Sequence, residues 1–244
     1  MQGTVLIALA AAAAAFAAGD ALPPEAARAL PADALLLGEQ HDAPRHQRLH
    51  HDTVRALAAR GQLAALALEM ADQGASTAGL PRDAGEEAVR AALGWQPRAW
   101  PWEPYAPAVM AAVRAGVPVL GANLPRERLR AAMADASLDT RLPPEALARQ
   151  QEAVRAGHCD LMPAAQVGPM ARAQVARDRA MADTLAQALQ PGRTVVLLAG
   201  SGHVDAGIGV PRHLPQGVVA RSVAWTPEPP ARDYCAELRR QMGR

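Results

Sequence analysis

The stretch Thr194-Val195-Val196-Leu197-Leu198-Ala199-Gly200-Ser201-Gly202-His203 decides the fold, because an unbroken apolar run ends abruptly in glycine, serine and histidine. A strand covered on one face alternates apolar with polar residues. This run does not alternate, so it reads as a strand buried on both faces. Residues 34–37, 63–68, 117–120 and 218–223 read the same way, and the strand predicted here covers 194–199. Between them lie helical patterns at 44–60, 105–115, 126–134, 144–156 and 164–188. Gly61, Gly116 and Pro191-Gly192 sit where helix ends are expected. The predicted class is α/β: a mostly parallel central sheet flanked by helices, with a smaller helical subdomain built from 72–101 and 125–160. Residues 25–225 are read as one domain, followed by a C-terminal helical tail over 226–244.

Composition narrows the chemistry. Of the 244 residues 25 are arginine and none is lysine, against 24 acids, for a formal charge of +1. Schiff-base chemistry and P-loop nucleotide chemistry are therefore excluded, and no electrostatic reason exists to expect nucleic acid. Fifty-nine alanines inflate the apolar half, and the aromatics reduce to one Phe, four Trp and two Tyr.

Residues 5–18 form an apolar run shorter than the ~20 residues a membrane span needs. It is read as an export signal with Ala15-Phe16-Ala17 at the cleavage site, although no Lys or Arg precedes it. No cysteine follows the run, so the expectation is a periplasmic protein without an N-terminal lipid. Cys159 and Cys235 are too few for a disulfide scaffold, and spacing alone does not pair them.

The residues just past each strand point to function. Gly38-Glu39-Gln40-His41, Glu69-Met70, Gly121-Ala122-Asn123 and Gly200-Ser201-Gly202-His203 all come directly after apolar runs. In open parallel sheets ligands bind outside the carboxyl ends of the strands, so Glu39, His41, Glu69, Asn123 and His203 are predicted to converge there. On the long helix, Met170, Gln174, Asp178, Met181 and Leu185 share one arc of about 80° at the helical period. Asp178 is thereby placed among apolar residues, where it would orient a histidine, bind backbone, or pair with Arg172 or Arg177. Trp95, Trp100, Trp102 and Tyr105 fall within eleven residues and suggest a wall for a flat ligand, or a plug between cap and sheet. His46 and His50, four apart on one helix, read as a metal pair or as part of a solvated basic face. The spacings of His158 and His213 specify no chemistry by themselves.

Taken in order, Leu37-Gly38-Glu39-Gln40-His41-Asp42, Leu68-Glu69-Met70, Trp100-Pro101-Trp102-Glu103-Pro104-Tyr105, Ala122-Asn123-Leu124-Pro125-Arg126, Gly157-His158-Cys159, the stretch from Gln174 to Met181, Gly200-Ser201-Gly202-His203 and Val210-Pro211-Arg212-His213-Leu214 resemble the ChaN-like haem-binding uptake proteins of the Tiki superfamily. The resemblance implies haem as cofactor, a homodimer with haem at its interface, residence at the bacterial envelope, and a haem-receptor system of the outer membrane as a further partner. It implies a tyrosine as iron ligand, for which Tyr105 lies in a matching segment and Tyr234 does not. Trp102 would bury the macrocycle, while Arg126, Arg45 or His46 would hold propionates in a chain without lysine. His158, Asn123, Gln174 and Asp178 complete the expected haem-binding set.

The superfamily also contains hydrolases. By resemblance, His41, Glu69 and His203 would hold Zn²⁺ or Mn²⁺ with Glu39 as general base. A metal-free variant would let a histidine activate water directly.

Overall fold

The computed structural model describes residues 21–241. The expected signal segment, 1–18, lies outside the described residues. Five strands form one sheet in the order β3-β2-β4-β1-β5, with every strand pair parallel. They are β1 (Ala34–Glu39), β2 (Leu63–Asp72), β3 (Val119–Asn123), β4 (Thr194–Gly200) and β5 (Ala220–Ala224). All five match runs read from the sequence and end further on, at Glu39, Asp72, Asn123, Gly200 and Ala224, where the strand ends still pair, while β3 and β5 each start two residues later than predicted.

Both faces are covered, which explains the missing alternation. Leu35, Leu37, Leu66, Leu68, Val196 and Leu198 pack on one face with α2 (Pro44–Ala59) and α4 (Ala106–Arg114). Their neighbours Ala34, Leu36, Ala65, Ala67, Val195 and Leu197 pack on the other with Met181, Ala182 and Leu185 of α7 (Ala164–Ala188). The second layer is rich in alanine, which lets α7 lie close against the strands. α1 (Pro24–Ala29) precedes the sheet, and α2 starts on Pro44 and stops at Gly61, whose φ of +65° only glycine adopts without strain.

The predicted helical cap forms only in part. α5 (Arg126–Ala134) and α6 (Pro144–Gly157) pack on α7, joined through Leu138, Leu142, Ala146, Val175 and Ile208. Residues 72–101 do not join them. That segment, with α3 (Glu86–Ala92), contributes Val89, Leu93 and Trp95 to the core on the opposite face. Its lack of periodicity concealed which face it covers. The described residues end in α8 (Tyr234–Gln241), which buries no residue. Among the described residues no helix is long and apolar enough to cross a membrane.

Leu198 sits at the centre of the sheet and is fully buried. Leu198→Ala is expected to cost about 2–5 kcal/mol, read as a lowered urea midpoint with an unchanged slope.

Candidate functional site

In the neighbouring strands β2, β4 and β1, Glu39 pairs with Gly200 in register and Glu69, three residues before the end of β2, accepts the Gly200 N–H, so Glu69, Gly200 and Glu39 lie side by side. Both carboxylates are buried, at 4% and 2% exposure. A buried carboxylate needs donors, and each finds them. Glu69 Oε2 accepts the Gly200 N–H at 2.7 Å, while Oε1 lies 3.4 Å from His203 Nε2. Glu39 Oε1 bonds His41 Nδ1 at 2.7 Å and accepts the Tyr105 hydroxyl at 2.6 Å. His50 Nδ1 lies 3.2 Å from Glu39 Oε2, off the line of a hydrogen bond.

The result is a continuous string of acids and imidazoles. It runs from Tyr105 through Glu39 to His41, across 4.0 Å to Glu69, then to His203, whose Nδ1 meets Asp178 Oδ1 at 2.6 Å. Burial pushes Glu39 and Glu69 upward, but their donors and neighbouring imidazoles outweigh it and hold both carboxyls at about 2. Burial pushes His203 down, and Glu69 with Asp178 overrides it, raising the ring to about 10. Burial likewise raises Asp178 to about 6, against the pull of His203, so the shared proton resides on the imidazole. His41 is raised too: burial acts downward, and the Glu39 bond and the Glu69 charge prevail.

Gly200 makes the string possible. A Cβ there would stand 3.0 Å from His41 Nε2, so the glycine clears the path between His41 and Glu69.

These groups line a crevice of about 840 Å³ together with Gln40, Asp42, Gln150, His158, Gln174, Arg177, Ser201, Arg232 and Tyr234. A smaller cavity of about 430 Å³ lies on the other side of His41 and Asp42, beside Arg48, His51 and Glu103. Sequence reasoning therefore converges on Glu39, His41, Glu69, His158, Gln174, Asp178 and His203. Other candidates sit elsewhere. Asn123 and Arg126 do not line the crevice. His46, expected on a solvated face or as a propionate contact, is fully buried. Its Nδ1 accepts the Gln40 N–H, so Nε2–H donates to the Thr226 carbonyl. His50 is buried as well, beside the Glu39 carboxylate, and with both His46 nitrogens committed to backbone the two do not form a metal-ligand pair.

The aromatic wall is also displaced. Trp95, Trp102 and Tyr105 are buried in the core beside α4, at 7%, 5% and 3% exposure. Trp102 Nε1 donates to Glu86. Tyr105 reaches the site through its hydroxyl alone, and Trp100 through its ring, edge-on to His41 at 4.8 Å. Burial, the Glu39 charge and the bond to Glu39 push the Tyr105 phenol far above the ordinary tyrosine range.

Among the lining residues, Arg232 carries no signal in the sequence, Arg177 reads only as a partner for Asp178, and Tyr234 lies outside the segments that carry the resemblance. Tyr234 is 42% exposed and donates its hydroxyl to Asp42 Oδ2 at 2.8 Å, with the Arg232 guanidinium 4.9 Å over its ring. A Cys159–Cys235 disulfide brings it there. The available signal was adjacency, since His158 precedes one cysteine and Tyr234 the other.

Residues 26–214 match the family model described as haem-binding uptake, Tiki superfamily, ChaN. The chain belongs to that family. A solved structure described as "Cofacial heme binding to ChaN of Campylobacter jejuni" is similar to it at 24% identity, covering 81% of this chain and 83% of that one with a TM-score of 0.63. That likeness supports the α/β fold. Comparison with curated proteins gives no match.

Two cofactor types can be tested against this ChaN-family site. Among the described residues no three His, Cys, Asp or Glu side chains form a set that could hold a metal ion. The reason is local: both nitrogens of His203 face carboxylates, and Glu69 is engaged by Gly200 and His203. Haem fits better. The rim offers a phenol, and His158 donates Nδ1–H to the Val154 carbonyl, which leaves Nε2 as an acceptor. Arg177 keeps a buried Nε without a hydrogen-bond partner, as a carboxylate-binding group would.

His203 gains its proton affinity on folding, so its contribution to stability is complete below pH 6.5 and is lost as pH rises through about 10. Unfolding free energy is expected to decline over that range, and His203→Gln to flatten the decline in urea titrations at stepped pH.

Proposed function

We propose that this protein binds haem in the crevice beyond β2, β4 and β1, with Tyr234 as the iron ligand. Haem, when bound, supplies a ferric centre that favours a hard anionic oxygen and two carboxylates that favour guanidinium groups. The observation that carries the reading is the state of the two tyrosines. Tyr105 is enclosed with its hydroxyl committed to Glu39, whereas Tyr234 stands exposed on the crevice rim, its hydroxyl donating to the Asp42 carboxylate. Arg232 beside the ring balances the charge of an oxygen ligand. Arg177, inside the crevice, is the nearest match for a propionate contact in place of Arg126 and His46.

Family membership supports a role in iron acquisition, and the solved relative from Campylobacter jejuni is described by its cofacial haem. A homodimer and an outer-membrane haem receptor as onward partner belong to the same reading. The disulfide supports an oxidising compartment, in keeping with export to the periplasm.

Titration of haemin into the purified protein, followed by absorption, tests this. The wild type is expected to give a tyrosinate-type Soret spectrum, and Tyr234→Phe to lose it with an affinity drop of roughly tenfold or more. Tyr105→Phe should keep the spectrum. An unchanged Tyr234→Phe, or a lost spectrum in Tyr105→Phe, overturns the ligand assignment.

A further inference from the structure

The segment from Thr226 to Gln241 supplies Arg232 and Tyr234 to the lining of the crevice and lies beyond the residues matched by the family model, which end at 214. Its root is firm. Trp225 is buried in the core and the Thr226 carbonyl accepts from His46. Beyond that point the strap is held by polar contacts to the loop after β1. Glu228 N–H donates to Gln40 Oε1 at 3.1 Å, and Ala231 N–H and the Tyr234 hydroxyl both donate to Asp42 Oδ2 at 2.8 Å.

Such contacts, two of them exposed and the third only part-buried, do not hold a chain segment by themselves. Nor does packing: α8 has eight residues and buries none of them. A helix that short is unstable in water unless something docks it. What docks it is covalent. Cys235, the second residue of α8, is bonded to Cys159 in the turn between α6 and α7, across 76 residues of sequence. That turn also presents His158 to the crevice, so one crosslink fixes two of the lining residues. Both cysteines are half-buried rather than enclosed in the core, which leaves the bond open to an attacking thiol.

We infer that the Cys159–Cys235 disulfide is a redox latch on the ligand crevice: intact, it seats the strap carrying Arg232 and Tyr234 on the site, and its reduction frees the strap and releases the ligand. The reductant is a dithiol. One of its thiolates bonds to a sulfur of the pair as the S–S bond breaks, and the second thiolate displaces that cysteine. Two electrons pass to Cys159 and Cys235, which take up two protons as thiols, and the dithiol leaves as a disulfide. The latch rests on the haem reading for the identity of the ligand. The attachment of the strap does not.

The test therefore has two readouts. In haem-free protein, the amide resonances of Glu228 and Ala231 are followed in the oxidised wild type, in wild type reduced with dithiothreitol, and in a Cys159→Ser, Cys235→Ser variant. Both crosslink-free forms are expected to move to random-coil positions while core resonances stay fixed. Haemin transfer to excess apomyoglobin is then timed, and the variant is expected to release haemin roughly tenfold faster or more than oxidised wild type. Strap resonances that stay in place without the crosslink overturn the latch, as does release within about twofold of wild type. If the variant does not fold, reduced wild type decides the strap readout. Wild type that takes up no haemin overturns the haem reading, and the latch is then decided by the resonances alone.

Discussion

Two carboxylates, buried at the end of β1 and near the end of β2, constrain everything around them. Glu39 and Glu69 flank Gly200 at the end of β4, in a chain without lysine. A buried charge that is not paired and hydrogen-bonded is too costly to keep. Histidine, backbone N–H and two neutral donors, the Tyr105 hydroxyl and the Gln47 amide, supply the partners. His41, His50 and His203 take positions against the two acids, Gly200 donates from the backbone, and Asp178 on α7 holds the far side of His203. The site and the attachment of α7 to the sheet are therefore one network.

That network also explains the fate of the aromatics. Tyr105 is drawn inward because its hydroxyl supplies a further donor to Glu39, and Trp95, Trp100 and Trp102 pack round it edge-to-face and tilted. The cluster that looked like a ligand wall fills the gap between the sheet and the 72–101 segment. The exposed phenol comes instead from a region with no strand or core signal, held by one crosslink.

The strands, the two-sided core and the polar residues at each strand end were legible in sequence because each is a local property. An apolar run without alternation requires cover on both faces, and a strand end that places Gly200 beside His41 and Glu69 must be open. Gln174 and Asp178 were legible through helical period alone. Arg177 was named only as a pairing alternative, and Tyr234 was set aside because it lay outside the matching segments. Neither has a local signal for facing the crevice.

The sequence by itself determined the α/β class, the positions of Glu39, His41, Glu69 and His203 at strand ends, and the chemistry excluded by the absence of lysine. These come from periodicity and composition, which act over a few residues at a time. Only the tertiary structure decided which histidines are structural, which tyrosine meets the crevice and which cysteine bonds which. Each of those is a contact between residues distant in the chain, made where strand order and helix packing bring them together, and no spacing along the chain encodes it.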